Sequence, residues 1–183
     1  MATLPLSLSF ISILLITFST NATASKLGKE TETHLHFYLH EIFNDTEPST
    51  VLVAQGPNTS NLNTSFGAVL VMDAMLTETP NRNSKLIGKA QGIQLIAPPL
   101  LSSQEDRSLL FVVNLVFVQG EFNGSSLAVL GRIPISSPVR EMPVIGGTGR
   151  FRFARGYVLT QSYEFDIVKG DIIIEYDVHV LHY

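Results

Sequence analysis

The sequence predicts an all-β domain, an eight-stranded antiparallel β-barrel preceded by a cleaved signal peptide. Short apolar, β-branched runs recur along the chain and are separated by clusters of glycine, proline and asparagine. No helical pattern of ten or more residues stands out. The connections are too short for helical crossovers, so the strands are expected to be antiparallel. We favour a barrel over a sandwich, because closure removes sheet edges and an eight-stranded barrel can hold one small ligand.

The chain begins with a stretch typical of secreted proteins. Residues 1–24 carry no charge and contain an apolar run from Leu4 to Phe18. Ala22-Thr23-Ala24 then fits the cleavage pattern of signal peptides. The run is interrupted by proline and serines and is shorter than the roughly 20 residues of a membrane span. We therefore expect a protein of the extracellular space, with its β-barrel domain at residues 25–183 and no membrane association after cleavage.

The composition limits the cellular compartments and the classes of partner that fit this protein. The chain has 183 residues, of which 45% are hydrophobic, enough for one sizeable core. It has no cysteine, so packing rather than disulfides must stabilise the secreted domain. A net charge of −4 and the lack of a basic run argue against a nucleic-acid partner. Sequons on predicted loops indicate a glycoprotein, with candidate sites at Asn44, Asn58, Asn63 and Asn123.

The strand candidates follow one another at regular spacing. The first is His34 to Phe43, where alternation places Leu35, Phe37, Leu39 and Glu41 on one face and His34, His36, Tyr38 and His40 on the other. The remaining candidates are bounded by turn residues. They are Val51 to Ala54, Phe66 to Leu76, Leu86 to Ile96, Leu109 to Val118, Ser126 to Ile135, Val158 to Phe165 and Ile172 to Leu181.

The segment REMPVIGGTGRFRFARGY, residues 140–157, lies between two of these candidates. Val144-Ile145 indicates the end of a strand, and the glycine-rich residues 146–149 indicate a tight turn. Phe151 and Phe153 alternate with arginines, which predicts a segment with one face on the core and one in water. An anion-binding loop is the alternative, but the glycine spacing fits neither GxGxxG nor GxxxxGK[ST].

Glu41 is the candidate acid, because it shares a face with apolar side chains expected to point into the barrel. A desolvated carboxyl has a raised pKa and can donate a proton unless a cation such as Arg140 lies near. The alternative is a solvated carboxyl at a frayed strand end.

The histidines of the same strand raise the question of a metal, and His179 and His182 near the end of the sequence add two more. His34, His36 and His40 are expected on the outer or interfacial surface, opposite the apolar face. Such spacing can place three imidazoles together, but no cysteine or helical HxxxH motif accompanies them, so no metal is expected. No cofactor fingerprint or G-x-S-x-G nucleophile elbow is present, so no cofactor is expected either.

Residues 140–157 resemble the signature of the plant dirigent proteins. Further similarity lies in FYLHE (37–41), GAVLVMDAMLT (67–77), KAQG (89–92) and FNGSSL (122–127). The resemblance implies an allene oxide cyclase type barrel in the apoplast, assembled as a dimer or trimer, with a small phenolic substrate. It implies Glu41 as acid and Arg140 as polar anchor. The further substrate-binding positions that we infer are Phe37, Leu39, Gln94 and Ile133.

The resemblance also implies a function, the stereoselective coupling of phenoxy radicals such as those of monolignols to optically active lignans. A separate oxidase, a laccase or peroxidase, would supply the radicals, so no oxidative activity of this chain is expected. Pinoresinol-forming members resemble this chain but carry Asp at the position of Ile133 and Tyr at that of Gln94, which argues against that product. Two alternatives stay open, acid-assisted closure of a quinone methide as in pterocarpan-forming members, and non-catalytic binding of a cell-wall phenolic or glycan.

Overall fold

The computed structural model describes residues 27–56, 66–97, 108–166 and 168–183. The predicted signal peptide and the sequons at Asn58 and Asn63 lie outside these residues. The strands of the described ranges are β1 (Thr31–Glu41), β2 (Thr50–Ala54), β3 (Val69–Thr77), β4 (Leu86–Ile96), β5 (Ser108–Phe117), β6 (Ser126–Pro134), β7 (Val139–Thr148), β8 (Arg155–Phe165) and β9 (Ile172–His182). Within the same ranges, no helix has the length and hydropathy of a membrane span.

Eight of the strands form a closed antiparallel barrel, which confirms the predicted fold. Their order is β1-β9-β8-β7-β6-β5-β4-β3, and a short pairing of β1 with β3 closes the ring. The ninth strand, β2, stays outside the ring and pairs with the first half of β3. β3 thus shares one edge between two partners, β2 near its start and β1 near its end.

Alternation along the strands places apolar side chains in the lumen, and aromatic rings fill one half of it. Phe37 stacks on Tyr176 with ring centroids 5.5 Å apart. Phe117, Phe122 and Phe151 pack against one another, with centroid distances between 4.7 and 6.2 Å. We call these five rings the aromatic cluster. Because the aromatic cluster occupies this half, the other half offers more room for an internal ligand.

The glycine-rich segment departs from the sequence prediction. β7 continues through the first glycines to Thr148, and the chain turns only at Gly149, where φ is +61°. A short 3₁₀ helix at Gly149–Phe151 then redirects the backbone. The predicted strand-like alternation is therefore wrong, because Phe151 is fully buried while Phe153 has a φ of 62° and is 62% exposed.

His40 also departs from prediction. His34 and His36 lie on the outer surface of β1, as alternation predicts, with side chains 56% and 43% exposed. His40 shares their face but is only 3% exposed. Its Nε2 lies 2.7 Å from the Thr77 hydroxyl, where β3 closes against β1, and burial lowers the pKa of His40. The expectation of a surface residue is wrong here because sequence alternation does not reveal which outer positions other segments cover.

Candidate functional site

A cavity of about 230 Å³ lies in the half of the barrel that the aromatic cluster leaves open. Most of its wall is apolar, formed by Leu39, Phe43, Leu109, Phe111, Ile133, Ile135, Ile172 and Ile174. A few polar side chains join them, namely Glu41, Gln94, Arg140, Thr160, Ser162 and Tyr176. An apolar cavity with a small set of convergent polar groups is the usual form of a small-molecule site.

Glu41 is the buried acid of this cavity. It is the last residue of β1, and the strand turns its side chain inward, where it is 5% exposed. Its Oε1 accepts hydrogen bonds from the Gln94 amide and from the Thr50 hydroxyl, the latter at 3.3 Å. Burial raises the pKa of Glu41 to about 7, and the hydrogen bonds from Gln94 and Thr50 oppose this rise. The predicted inward position is confirmed, and the interpretation as a solvated strand end is wrong.

The raised pKa of Glu41 predicts a pH dependence of stability. The folded protein keeps this proton up to about pH 7, whereas the unfolded chain releases it near the usual pKa of 4.5. The folded state binds more protons between these values, so this contribution is complete below pH 4.5 and is lost as the pH rises through 7. The difference between the folded and unfolded pKa values of Glu41 corresponds to about 3 kcal/mol of unfolding free energy.

Glu41→Gln removes this titration and tests it. At pH 8 the variant is expected to unfold at a higher urea concentration than the parent, because it avoids a buried carboxylate. Near pH 4.5 the two midpoints are expected to be similar. Urea unfolding at both pH values measures the difference, and an offset that does not change with pH would contradict the prediction.

Arg140 brings a cation to the same cavity from β7. Its Nη2 donates a hydrogen bond to the Ser162 hydroxyl at 3.1 Å. Its Nε is buried and has no hydrogen-bond partner among the described residues. No ion pair joins Arg140 to Glu41 in that part of the chain, and burial remains the main influence on the Glu41 pKa. An unpartnered buried N–H is costly, so a ligand oxygen that accepts from it would be favoured.

Tyr176 is a cavity residue that sequence reasoning missed. It lies in β9, is 1% exposed, and stacks on Phe37 at the boundary of the aromatic cluster. Burial and the nearby Glu41 raise the pKa of Tyr176 well above its ordinary value, so the hydroxyl keeps its proton and can donate a hydrogen bond. In the strand IIIEYDVHVLH, alternation places Tyr176 on the same face as the buried Val178 and Val180. This pattern is the sequence signal that could have identified Tyr176 as an inward residue.

The remaining predicted substrate-binding residues divide into two groups. Leu39, Gln94 and Ile133 line the cavity together with Glu41. Phe37 does not line it, because it lies four residues before Glu41 on β1, roughly 13 Å along the strand. It belongs instead to the aromatic cluster and to a separate cavity of about 190 Å³ at that end of the barrel. Phe37 therefore lies outside the cavity that holds Glu41, and its role in substrate binding stays a prediction.

Two of the predicted glycosylation sites can be placed. Asn44 and Asn123 are both exposed and lie between strands. The Asn44 side-chain amide donates a hydrogen bond to the Lys169 carbonyl. The positions fit glycan attachment, and their occupancy stays a prediction.

The fold and the cavity together define a class of protein, a closed β-barrel that holds a buried acid and a cation in an apolar lumen. Residues 32–181 match the family described as "Dirigent-like protein". The chain therefore belongs to the dirigent family, as its signature segment predicts.

Individual relatives agree with this assignment. The chain is 45% identical over 184 residues to pterocarpan synthase 1 of Glycyrrhiza echinata, covering 99% of this chain and 94% of the relative. It is 44% identical over 185 residues to dirigent protein 21 of Arabidopsis thaliana, with 98% and 95% covered. A solved structure of a pterocarpan synthase dirigent protein matches with a TM-score of 0.79 at 46% identity, covering 90% of this chain and 98% of that one.

Proposed function

We propose that this dirigent-family protein is a cyclase that converts one phenolic benzylic alcohol to a cyclic ether with loss of water. The carrying observation is the buried Glu41 carboxyl, whose pKa of about 7 keeps it protonated at mildly acidic pH inside an apolar cavity. General acids work best when their pKa lies near the operating pH. The similarity to pterocarpan synthases supports this choice.

The proposed reaction balances with Glu41 as the single proton carrier. Glu41 protonates the benzylic hydroxyl, the C–O bond breaks, and water leaves. A ring hydroxyl conjugated with that carbon then gives its proton to the Glu41 carboxylate, which leaves a neutral quinone methide. A second phenolic hydroxyl of the same molecule attacks the former benzylic carbon, and its proton passes through Glu41 to the quinone oxygen. The product differs from the substrate by one water.

Arg140 and Tyr176 are proposed to position the substrate and to stabilise charge. Both line the cavity, and both offer hydrogen-bond donors. Donors held in a dry site stabilise a developing oxygen charge more strongly than water does. The quinone oxygen is the group that gains charge when the second hydroxyl attacks, so it is the expected acceptor.

The size of the cavity supports the cyclase proposal over radical coupling. Cavities for drug-sized ligands measure about 300 to 1,000 Å³. A cavity of about 230 Å³ suits one compact phenolic molecule that closes on itself better than two phenoxy radicals that lie side by side. Stereoselective coupling, with radicals supplied by a laccase or peroxidase, is the second candidate, and the mostly apolar wall is the observation that favours it.

The experiment compares the two reactions with one preparation of protein. The protein is first incubated without oxidase with a racemic isoflavanol that carries a second phenolic hydroxyl, and the cyclic ether is measured on a chiral column. It is then incubated with laccase and several monolignols. Oxidase-free, enantioselective dehydration supports the cyclase. Racemic dehydration at the uncatalysed rate, with an enantiomeric excess only in the laccase reaction, would favour coupling. Affinity for wall material without either effect would favour a non-catalytic binder.

We also propose that the mature domain is secreted to the apoplast and assembles as a homo-oligomer. Val71, Ile93, Val112 and Leu130 pair in register across β3 to β6 and form an outward apolar row. Val71 and Leu130 are 40% and 39% exposed. Such patches are typical of protein interfaces. Light scattering on the secreted protein tests the assembly, and a monomer mass would contradict it. N-terminal sequencing tests cleavage after Ala24, and an uncleaved terminus would contradict that cleavage.

A further inference from the structure

A cluster of potential metal ligands lies on the outer wall of the barrel, away from the cavity. His34 on β1 and His179 on β9 are direct cross-strand partners. Asp177 precedes His179 by two residues and therefore shares its face of the sheet. The cluster thus joins the first and the last of the described strands, and its three side chains point outward.

The side chains of this cluster already converge. Nε2 of His34 is hydrogen-bonded to Oδ1 of Asp177, and Nε2 of His179 lies 3.5 Å from the same oxygen. One ligand atom from each residue lies within 4.8 Å of the others. The two imidazole rings stack with centroids 4.6 Å apart, and the Tyr157 ring stacks on His179 at 4.9 Å. These ring contacts restrict the orientation of the nitrogens.

The three side chains and their surroundings offer suitable groups for a cation. A single divalent ion can take one nitrogen from each imidazole and one oxygen from the carboxylate. The neighbouring groove adds the carboxylates of Glu32 and Glu141. The guanidinium of Arg155 also lines this groove, but its charge is balanced by the Glu30 carboxylate at 2.6 Å. The surroundings of the cluster therefore favour a cation.

We propose that His34, Asp177 and His179 bind a divalent transition-metal ion, with Zn²⁺ as the expected ion. Two imidazole nitrogens and one carboxylate oxygen form a ligand set that zinc accepts, with a fourth position for water or an added ligand. Hard ions such as Mg²⁺ prefer sites built from oxygen atoms. The barrel wall separates this site from Glu41, so the proposal does not depend on the proposed cyclase reaction.

The sequence pattern alone does not reveal this site. The sequence offers His34, His36 and His40 on one strand and His179 and His182 near its end, but no pattern pairs His34 with His179. His36 and His40 have other partners. His36 pairs with Glu175 at 2.7 Å, and His40 contacts Thr77. The second and third ligands come from the opposite end of the chain, and only the pairing of β1 with β9 brings them to His34.

Isothermal titration calorimetry of tag-free, full-length secreted protein with ZnCl₂ tests the proposal. One zinc ion per chain is expected, with no heat from MgCl₂ at the same concentrations. His34→Gln and His179→Gln are each expected to weaken zinc binding by about tenfold or more, the size of effect seen when metal-site residues are changed. His36→Gln is the matched control, because it removes an exposed histidine of the same strand and is expected to leave binding unchanged.

The controls keep the result interpretable. All these residues lie on the outer surface, so the unfolding temperatures of the zinc-free variants should match that of the parent. Zinc should raise the unfolding temperature of the parent and of His36→Gln but not of the His34→Gln/His179→Gln double variant. No zinc binding by the parent, equal binding by the double variant, or a loss of the same size in His36→Gln would overturn the assignment.

Discussion

Replacing Glu41 by glutamine is expected to lower kcat of the oxidase-free cyclisation by about 10²- to 10⁴-fold, the usual contribution of a general acid. The amide keeps the size of the side chain and can still accept the hydrogen bond from Gln94, so KM should change little. It cannot protonate a leaving hydroxyl. The measurement is initial rate of product formation near pH 5.5, where the parent carboxyl, with its pKa of about 7, holds its proton.

The pH profile distinguishes a proton donor from a shape effect. The parent rate is expected to fall as the pH rises through about 7, where Glu41 ionises. In Gln94→Leu the carboxylate loses a hydrogen bond that lowers the pKa of Glu41, so the fall should move to higher pH. A parent rate that is flat through pH 7, or Glu41→Gln turnover equal to that of the parent, would exclude Glu41 as the acid.

Replacing Phe151 by alanine is expected to cost about 3 to 5 kcal/mol of unfolding free energy, as for other buried phenylalanines. Phe151 is fully buried. Its ring lies 4.7 Å from that of Phe122 and 5.1 Å from that of His182, measured between centroids. The alanine would leave a cavity in the aromatic cluster that its stacked neighbours cannot easily fill.

Phe153→Ala is the matched control for this loss. Phe153 lies in the same segment but is 62% exposed, so its removal is expected to change stability by no more than about 0.5 kcal/mol. Urea unfolding of the parent and both variants at pH 5.5 gives the comparison. Losses of similar size in the two variants would show that the segment does not anchor the core through Phe151.

Alternation in the sequence was sufficient for most of the strands and for the two faces of β1, but not for the glycine-rich segment. It placed Glu41 and Leu39 inside and His34 outside, because side chains in a strand alternate strictly. Alternation could not give the position of a residue along the barrel axis relative to residues on other strands. This position follows from strand tilt and stagger, which the whole sheet sets. The spacing on β1 separates Phe37 from Glu41 along the strand, but which end of the lumen stays open depends on the side chains of the other strands.

Other features depended on contacts between distant parts of the chain. The burial of His40 arises where β1 meets β3, and the His34, Asp177 and His179 cluster arises where β1 meets β9. The 3₁₀ helix at Gly149–Phe151 depends on a local backbone choice that the glycine-rich composition permits but does not specify.

The pairing of β1 with β9 also bears on how the chain matures. It covers eleven residue pairs, from Thr31 opposite His182 to Glu41 opposite Ile172, whereas β1 and β3 share three. The main partner of β1 is thus β9, which is synthesised after the other described strands. Ring closure must wait until β9 has been synthesised, and such distant pairings make folding slow. A product that stops short of Ile172 would expose unpaired strand edges and is expected to aggregate.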